Sequence, residues 1–448
     1  MSKHHLLVNL VNTPENFKAG NVGNSFSFWT SLTSDSHILS MIRGLSIDFC
    51  KTPVCQPSEP KPLIFSDVEQ AAASIELTNI LDKNIIQPAT PCSGQYVSNI
   101  FLRHKKDQSH RVILNLRELN QHITYVHFKM DNLRTALDLV TNKAWFCTID
   151  LKDAYYSLSI KPSHRKFLRF YWEDSLFEFT CLPQGLSEGP RKFTAVVKVI
   201  LAELRRLGII IIGYLDDTLI LADSERECYN AVFRAVSMFD KAGFTIHPDK
   251  SVLDPTQIIT FLGFIISSKQ MTVQLTLEKR EKIRSFASRI LNNESTTLIV
   301  LAEFIGLLVA SGPGVHQAAL HYKGLEIERD QMLKCNNRNY NCTNSLSRDA
   351  RADVVLWRDN VMTAVQSLNE PPVDHYMQSD SSDFAWGGYF AGTIAGGPWS
   401  VLESARHINY KELLAAHLTL QSFCRTMSNV HSACTPASRQ HHCCVLYL

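Results

Sequence analysis

The feature that most restricts the fold is an apolar run, Ile209–Leu215, that stops at Asp216-Asp217 and resumes as Thr218–Ala222. Two strand-type runs split by two acidic turn residues predict a β-hairpin with both carboxylates at its tip. A further strand is predicted over Trp145–Leu151, where Trp145, Cys147 and Ile149 fall on one face and Thr148 and Asp150 on the other. If these strands are neighbours, Asp150, Asp216 and Asp217 converge. Carboxylates grouped at strand ends suit a hard dication such as Mg²⁺. Two such ions can hold the attacking and leaving oxygens of a phosphoryl transfer in line. Taken alone, an Asp-Asp pair is an ordinary turn element. The order of the surrounding segments carries the argument.

Length sets an expectation of two to four domains with ample material for a core. With 45 Lys and Arg against 43 Asp and Glu in 448 residues, net charge is only +2, so a polyanion site has to come from local clustering. Arg103, Lys105, Lys106, Arg111, Arg117 and Lys129 supply one such cluster. The 12 cysteines are scattered without a repeated CxxC pair, which predicts free thiols in a reducing compartment. The N-terminus lacks the apolar segment of a signal peptide, giving an expectation of an intracellular protein, cytoplasmic or nuclear and not secreted. Leu298–Ser311 is too short to span a bilayer and contains Glu303, so it reads as a buried helix and no membrane partner is expected.

Residues 1–59 hold Gly, Ser and Thr clusters around a few apolar anchors (Phe28, Trp29, Ile38, Leu39, Ile42) and yield no derivable function. Pro53, Pro57, Pro60 and Pro62 then read as a linker. Over Asp67–Lys83 the apolar residues Val68, Ala71, Ala72, Ile75, Leu77 and Leu81 recur at helical spacing. Strands are expected at Tyr96–Leu102 and Val112–Leu116. A helix is expected over Arg191–Leu207, with Phe193, Val196, Val197, Ile200, Leu201 and Leu204 inward. Helices dominate from Leu275 to about Lys334, the run CNNRNYNCTNS reads as a loop, and a second β-rich unit begins near Tyr376, followed by a helix over Asn409–Phe423. This mixture predicts α+β architecture.

The segments WFCTIDLKDAYYSL (145–158), FTCLPQG (179–185), IIGYLDDTLIL (211–221), GFTIHPDKS (243–251) and FLGF (261–264) resemble, in order, the palm motifs of reverse transcriptases. RHKKDQSHRVILNLRELN (103–120) resembles the fingers segment of that family. Within it the chain is most similar to the DIRS-like, tyrosine-recombinase class of retrotransposons, to which NSFSFWTSLTSDSHILSMIRG and FIGLLVASGPGVHQAALHY are also similar. The resemblance implies that Asp150, Asp216 and Asp217 hold two catalytic Mg²⁺ ions, with Mn²⁺ as an alternative. It makes Asp153, Ala154, Tyr155, Gln184 and Gly185 contacts of the incoming dNTP, with Lys105 and Arg111 clamping its triphosphate. Tyr155 would be the steric gate against a ribose 2′-OH, Lys250 the acid that protonates pyrophosphate, and Phe261, Leu262, Gly263 and Phe264 the primer grip. Plainer readings stand beside these: a helix N-cap for Asp153, core packing for Tyr155, a solvated face for the cations, and a simple strand turn for FLGF.

MQSDSSDFAWGGYF (377–390) and NYKELLAAHLTLQSF (409–423) resemble the opening strand, hairpin and first helix of ribonuclease H, with Asp380 and Glu412 as vestigial metal ligands. Asp383 competes with Asp380, and Asn409 with Glu412 has capping-box spacing. No Asp or Glu follows Glu412, and the Cys/His-rich end (Cys434, His441, His442, Cys443, Cys444) does not have the spacing of a structural zinc site. That end is expected to reflect truncation or a change of reading frame, with ribonuclease H activity absent.

The resemblance therefore predicts a right-hand polymerase: fingers and palm over 60–275, a helical thumb over 276–335, a connection over 336–374, and an incomplete ribonuclease H-like α/β domain over 375–448. The expected function is RNA-directed DNA synthesis on a template-primer from dNTPs. The rival expectation is a decayed, non-catalytic nucleic-acid-binding remnant. Oligomeric state is not legible.

Overall fold

Helices Phe26–Leu32 (α1) and Ser36–Arg43 (α2), which follow the single turn Asn21–Asn24, have no core of their own. Asp35 caps α2 by accepting from the N–H groups of His37 and Ile38. Trp29 is fully buried and donates from Nε1 to the Ala242 carbonyl at 3.1 Å. Phe17, Val22, Ile38, Met41, Ile42, Leu45 and Ile47 join the same hydrophobic core as the central strands. The computed structural model describes residues 17–51, 54, 56, 58–61, 63–104, 110–369, 376–424, 433–436 and 444–447. It divides into two units, with the boundary between Leu368 and Asn369.

In the first unit, Asp67–Asp82 (α3) starts at a capping box in which Ser66 and Glu69 satisfy each other's backbone N–H. Its buried residues are Ala73, Leu77 and Ile80, whereas Val68 and Ile75 are exposed, so the expected apolar face is corrected by a rotation about the helix axis. Ile86–Pro88 (β1), Ile100–His104 (β2) and His110–Leu114 (β3) follow; β2 and β3 pair with Arg103 opposite Arg111. The two strands of this pair lie a few residues away from the spans 96–102 and 112–116 expected from propensity.

Trp145–Asp150 (β4) sits between later strands of the chain. Arg169–Trp172 (β5) and Ser175–Phe179 (β6) form a small sheet in the order β1-β6-β5. Gly189–Arg206 (α4), with Pro190 in its first turn, buries the six apolar residues expected from its pattern. Ile210–Tyr214 (β7), Asp217–Ala222 (β8), Glu225–Lys241 (α5) and Val252–Thr256 (β9) follow. The resulting sheet is antiparallel, in the order β7-β8-β4-β9.

Both faces of that sheet are buried. Cys147, Ile149, Ile211 and Ile220 enter one hydrophobic core, with α4 and α5, and Phe146, Ile212, Leu219 and Leu221 enter the other. The period of two along a strand thus feeds two cores at once. The second core is built on Ile258–Phe261 (β10), Phe264–Ser267 (β11) and Thr272–Leu275 (β12), with helices Leu277–Leu291 (α6), Leu298–Ser311 (α7), Lys323–Cys335 (α8) and Arg348–Asn360 (α9). The α7 segment is the expected buried helix. No helix among the described residues is long and apolar enough to cross a membrane. The stretch expected as a connection holds α9, whose Val354 and Trp357 are buried in this core.

The second unit contains Tyr376–Ser381, Ala385–Phe390 and Thr393–Pro398, an antiparallel meander, and Ile408–Cys424, a helix packed on it. A strand at Cys444–Tyr447 pairs antiparallel with Tyr376–Ser381 and with Ala433–Pro436. Every cysteine among the described side chains is a free thiol.

Truncating Trp29 to Ala should cost about 3–5 kcal/mol. Urea unfolding of the full chain measures this. A loss below about 1 kcal/mol would show that α1 is dispensable to the fold.

Candidate active site

Asp150 is the last residue of β4 and the direct cross-strand partner of Asp217, the first residue of β8. Asp216 is not on a strand: with Leu215 it forms the two-residue turn between Tyr214 and Asp217. Leu215 adopts φ +55°, a conformation that costs a branched residue on the order of 1–3 kcal/mol and is held only because both strands are locked in sheet. The end of β4 is fixed on both sides. Leu151 N–H donates to Asp216 O (3.1 Å), His247 N–H to Asp150 O (2.8 Å), and Lys152 N–H to Thr245 O (2.8 Å). Asp150 N–H donates to Ser251 Oγ at 3.0 Å. The three carboxylates are thus placed by backbone pairing, with no freedom to separate by moving the chain.

Their electrostatics follow from this placement. Burial first, then Asp216 and Asp150, push the Asp217 carboxyl up to about 6, against the opposing pull of Lys250. Burial also raises Asp150; Lys250 and His247 draw it back while Asp216 pushes it further. Like charges crowded in a partly dry site require a proton or a cation. Among the described residues, no three His, Cys, Asp or Glu side chains already close around a single point as a metal cluster would. The donor set is nevertheless what Mg²⁺ prefers, hard oxygens on rigid backbone, and a dication would have to draw the side chains inward.

Beside the carboxylates lies a cavity of about 750 Å³. It brings together Asp150, Asp216, Asp153, Ala154, Tyr155, Arg111, Gln184 and Lys250 from the residues singled out in the sequence. Lys105 lies outside the described residues, as does its neighbour Lys106. Arg111 donates to Gln184 Oε1 at 2.9 Å, so the guanidinium on β3 is already oriented across 73 residues of chain. Gly185 stands at φ +98°, where an added Cβ would come within 3.2 Å of the Leu114 carbonyl, so its backbone can lie tight against β3 only without a side chain. The Tyr155 ring stacks on Phe193 (5.0 Å between centroids, 7° between planes) and abuts Gly189. Tyr156 is the buried neighbour. Asp153 takes φ +48° and precedes the 3₁₀ turn Ala154–Ser157 without capping it through its side chain.

The cavity also holds groups that sequence reading missed: Glu76 and Asn79 from α3, Lys83 at its C-cap, Lys152, and His247. Burial, with Lys83 and Lys250 nearby, lowers the Lys152 ammonium below its usual range, and burial with Lys250 lowers His247. No local signal marks Lys83 as a site residue, because it becomes one only when α3 packs beside the Asp153 turn.

The FLGF segment is a hairpin turn between β10 and β11 and does not line this cavity. Phe261 and Phe264 point into the second core, while Leu262 (φ +50°) and Gly263 (φ +77°) form the turn. Lys279 donates to the Leu262 carbonyl at 3.0 Å and lies 4.1 Å over the Phe264 ring. Phe261 and Phe264 are thus taken up by the core, and of the four residues only Leu262 and Gly263 are partly exposed.

In the second unit Asp380 is an exposed strand residue and Glu412 is half-buried on the helix. Asp383, the competitor of Asp380, is instead ion-paired at 2.7 Å with Lys411, which is 3% exposed. The Asn409–Glu412 capping box does not form, since the helix begins at Ile408 and Asn409 N–H donates to His407 Nδ1. His441, His442 and Cys443 lie outside the described residues, as do the side chains of Cys434 and Cys444.

The raised Asp217 sets a sign for pH dependence. Below its ordinary value of 3.8 the carboxyl is protonated in both folded and unfolded chains, and no penalty exists. As pH rises towards 6 the unfolded chain ionises first, and the fold loses stability. In EDTA, Asp217→Asn should therefore stabilise the protein by on the order of 1 kcal/mol at about pH 7, solvent screening included, and by almost nothing at about pH 3. Equal unfolding midpoints for variant and parent at both pH values would count against the crowded carboxylates.

Residues 103–266 match the family model described as "Reverse transcriptase (RNA-dependent DNA polymerase)". The chain is 23% identical over 379 residues to the enzymatic polyprotein of Figwort mosaic virus (strain DxS), covering 81% of this chain and 53% of that protein. It is 26% identical over 200 residues to the Gag-Pol polyprotein of Koala retrovirus, covering 42% of this chain and 12% of that one. The chain thus spans about half the length of the first of these relatives and a small part of the second. Its fold is similar to that of the foamy viral protease-reverse transcriptase in complex with dsDNA, at a TM-score of 0.59 and 20% identity over 84% of this chain and 76% of that one. The same foamy viral protein in complex with RNA/DNA hybrid aligns at a TM-score of 0.57 and 18% identity, over 90% of this chain and 55% of that one. With the expected polymerase fold in place and the palm motifs inside the matched segment, residues 103–266 are a reverse transcriptase domain.

Proposed function

We propose that this chain is the RNA-directed DNA polymerase of a retroelement, adding dNTPs to the 3′-OH of a primer on an RNA template. The observation that carries this is the shared cavity, where Asp150 and Asp216 face Arg111, Gln184 and the Tyr155 ring. Asp150, Asp216 and Asp217 would hold two Mg²⁺ ions (Mn²⁺ as the alternative), which supply activation of the 3′-OH and charge neutralisation on the triphosphate. Arg111, oriented by Gln184, offers its fork to phosphate oxygens. Lys105 would be its partner in the clamp. The turn at Asp153 and Ala154 offers backbone N–H groups to the same anion. Tyr155, backed by Phe193 and Gly189, lines the cavity, which suits a ring that rejects a 2′-OH. Lys250 stands close enough to influence both Asp150 and Asp217, and from there would protonate the departing pyrophosphate. The Leu262-Gly263 turn would contact the primer through its backbone.

Affinity for the template-primer should be salt-sensitive and indifferent to sequence, because phosphate contacts position without specifying. The resemblance of NSFSFWTSLTSDSHILSMIRG and FIGLLVASGPGVHQAALHY to DIRS-like retrotransposons supports that class as the source. Within this chain the second unit has Asp380 and Glu412 but no later carboxylate, which supports the absence of ribonuclease H activity.

Two measurements test these readings. Asp216→Asn should abolish Mg²⁺-dependent extension of oligo(dT) on poly(rA) while leaving the circular dichroism spectrum and melting point intact; unchanged extension refutes the assignment. The full chain should leave the RNA of an RNA/DNA hybrid uncut in Mg²⁺. Cleavage that disappears in Asp380→Asn would show that the second unit is active after all.

A further inference from the structure

We propose that Lys83 is an additional triphosphate-binding residue of the polymerase site, held ready by Asp153. The inference rests on the polymerase reading above. It starts from a helical stripe: Glu76 lies three and four residues before Asn79 and Ile80 on α3, these lie four and three before the C-cap residue Lys83, and all four line the cavity. Lys83 is the residue that ends this helix, where a cation also meets the negative end of the helix dipole. Its Nζ lies 3.3 Å from Asp153 Oδ2 and 6.0 Å from the centroid of Phe17, a ring that is itself buried. The ammonium is therefore located from two sides, by an acid on the palm turn and by the N-terminal segment.

An ammonium has three donors, and Asp153 engages one of them. Lys83 can keep that partner and still take a phosphate oxygen in the cavity. Charge balance makes the position matter. Four Lys and Arg side chains on the cavity wall face four Asp and Glu. Deleting Lys83 removes a cation and also leaves the Asp153 carboxylate unpaired in a space that must admit a polyanion. Both effects act on nucleotide binding, and neither touches the primer 3′-OH. The plain alternative is a strut: an ion pair whose side chains are 37% and 24% exposed would only tie the end of α3 to the Asp153 turn. A strut and a phosphate ligand differ in what they do to KM.

The test is steady-state extension of oligo(dT) on poly(rA) by the full chain, with dTTP varied. Lys83→Gln should raise KM for dTTP roughly ten- to a hundred-fold, as expected for loss of a charge-assisted hydrogen bond, with kcat little changed. Inhibition by inorganic tripolyphosphate should weaken in parallel. Lys83→Arg should restore most of the affinity, and adding Asp153→Asn to Lys83→Gln should recover part of it by removing the unpaired charge. Three outcomes overturn the inference. If the parent protein does not extend primers, the polymerase reading fails and this one falls with it. If the parent is active and Lys83→Gln has an unchanged KM, this inference alone fails. If kcat and the melting point drop together with KM unmoved, Lys83 is a strut.

Discussion

Repulsion among three carboxylates, held in place by a sheet buried on both faces, is the constraint around which the first unit is organised. Asp150 and Asp217 are opposite one another because β4 and β8 pair, and Asp216 sits in the turn that joins β8 to β7. Left to electrostatics, these groups would separate. They do not, because sliding either strand would pull Phe146, Ile149, Ile220 or Leu221 out of a core. Hydrophobic burial thus offsets the cost of crowding, and Asp217 is raised first by its own burial and then by its two acidic neighbours.

The N-terminal segment belongs to the same mechanical system. Trp29 and Asn21 reach the Ala242 and Gly243 carbonyls just beyond α5, and Asp48 engages Arg191 and Lys192 in the first turn of α4. Lys192 and Glu188 are both buried, and each has a charged partner within 3.0 Å, so the cluster is locally neutral. Through Phe17 and Lys83 this segment also borders the cavity wall. A stretch with no legible function in sequence is, in structure, part of what holds the palm and its cavity.

Some of the candidate site could be read in advance because its signals are local. An apolar run cut by two acids specifies a hairpin, and the stripe on α4 specifies a helix face. Other features carried a signal that was overlooked. In α9, Ala350, Val354 and Trp357 recur at helical spacing after Ser347, which caps the helix, so its existence was readable within the expected connection. The face of α3 was misread for a different reason. Its apolar residues are spread around the helix, leaving no dominant stripe, and the choice of Ala73, Leu77 and Ile80 was made by what packs beside them.

By itself, the sequence determined the order of the motifs, the hairpin that carries Asp216 and Asp217, and the strand that ends at Asp150. These depend on periodicities of two and 3.6 residues, which span only a few neighbours. Tertiary structure decided which cations meet the carboxylates. Lys83 and Asp153 are 70 residues apart, Arg111 and Gln184 are 73, and Asp150 and Ser251 are 101. Contacts of that range depend on how separate helices and strands pack, and packing answers to buried area and shape, which no short window of sequence contains.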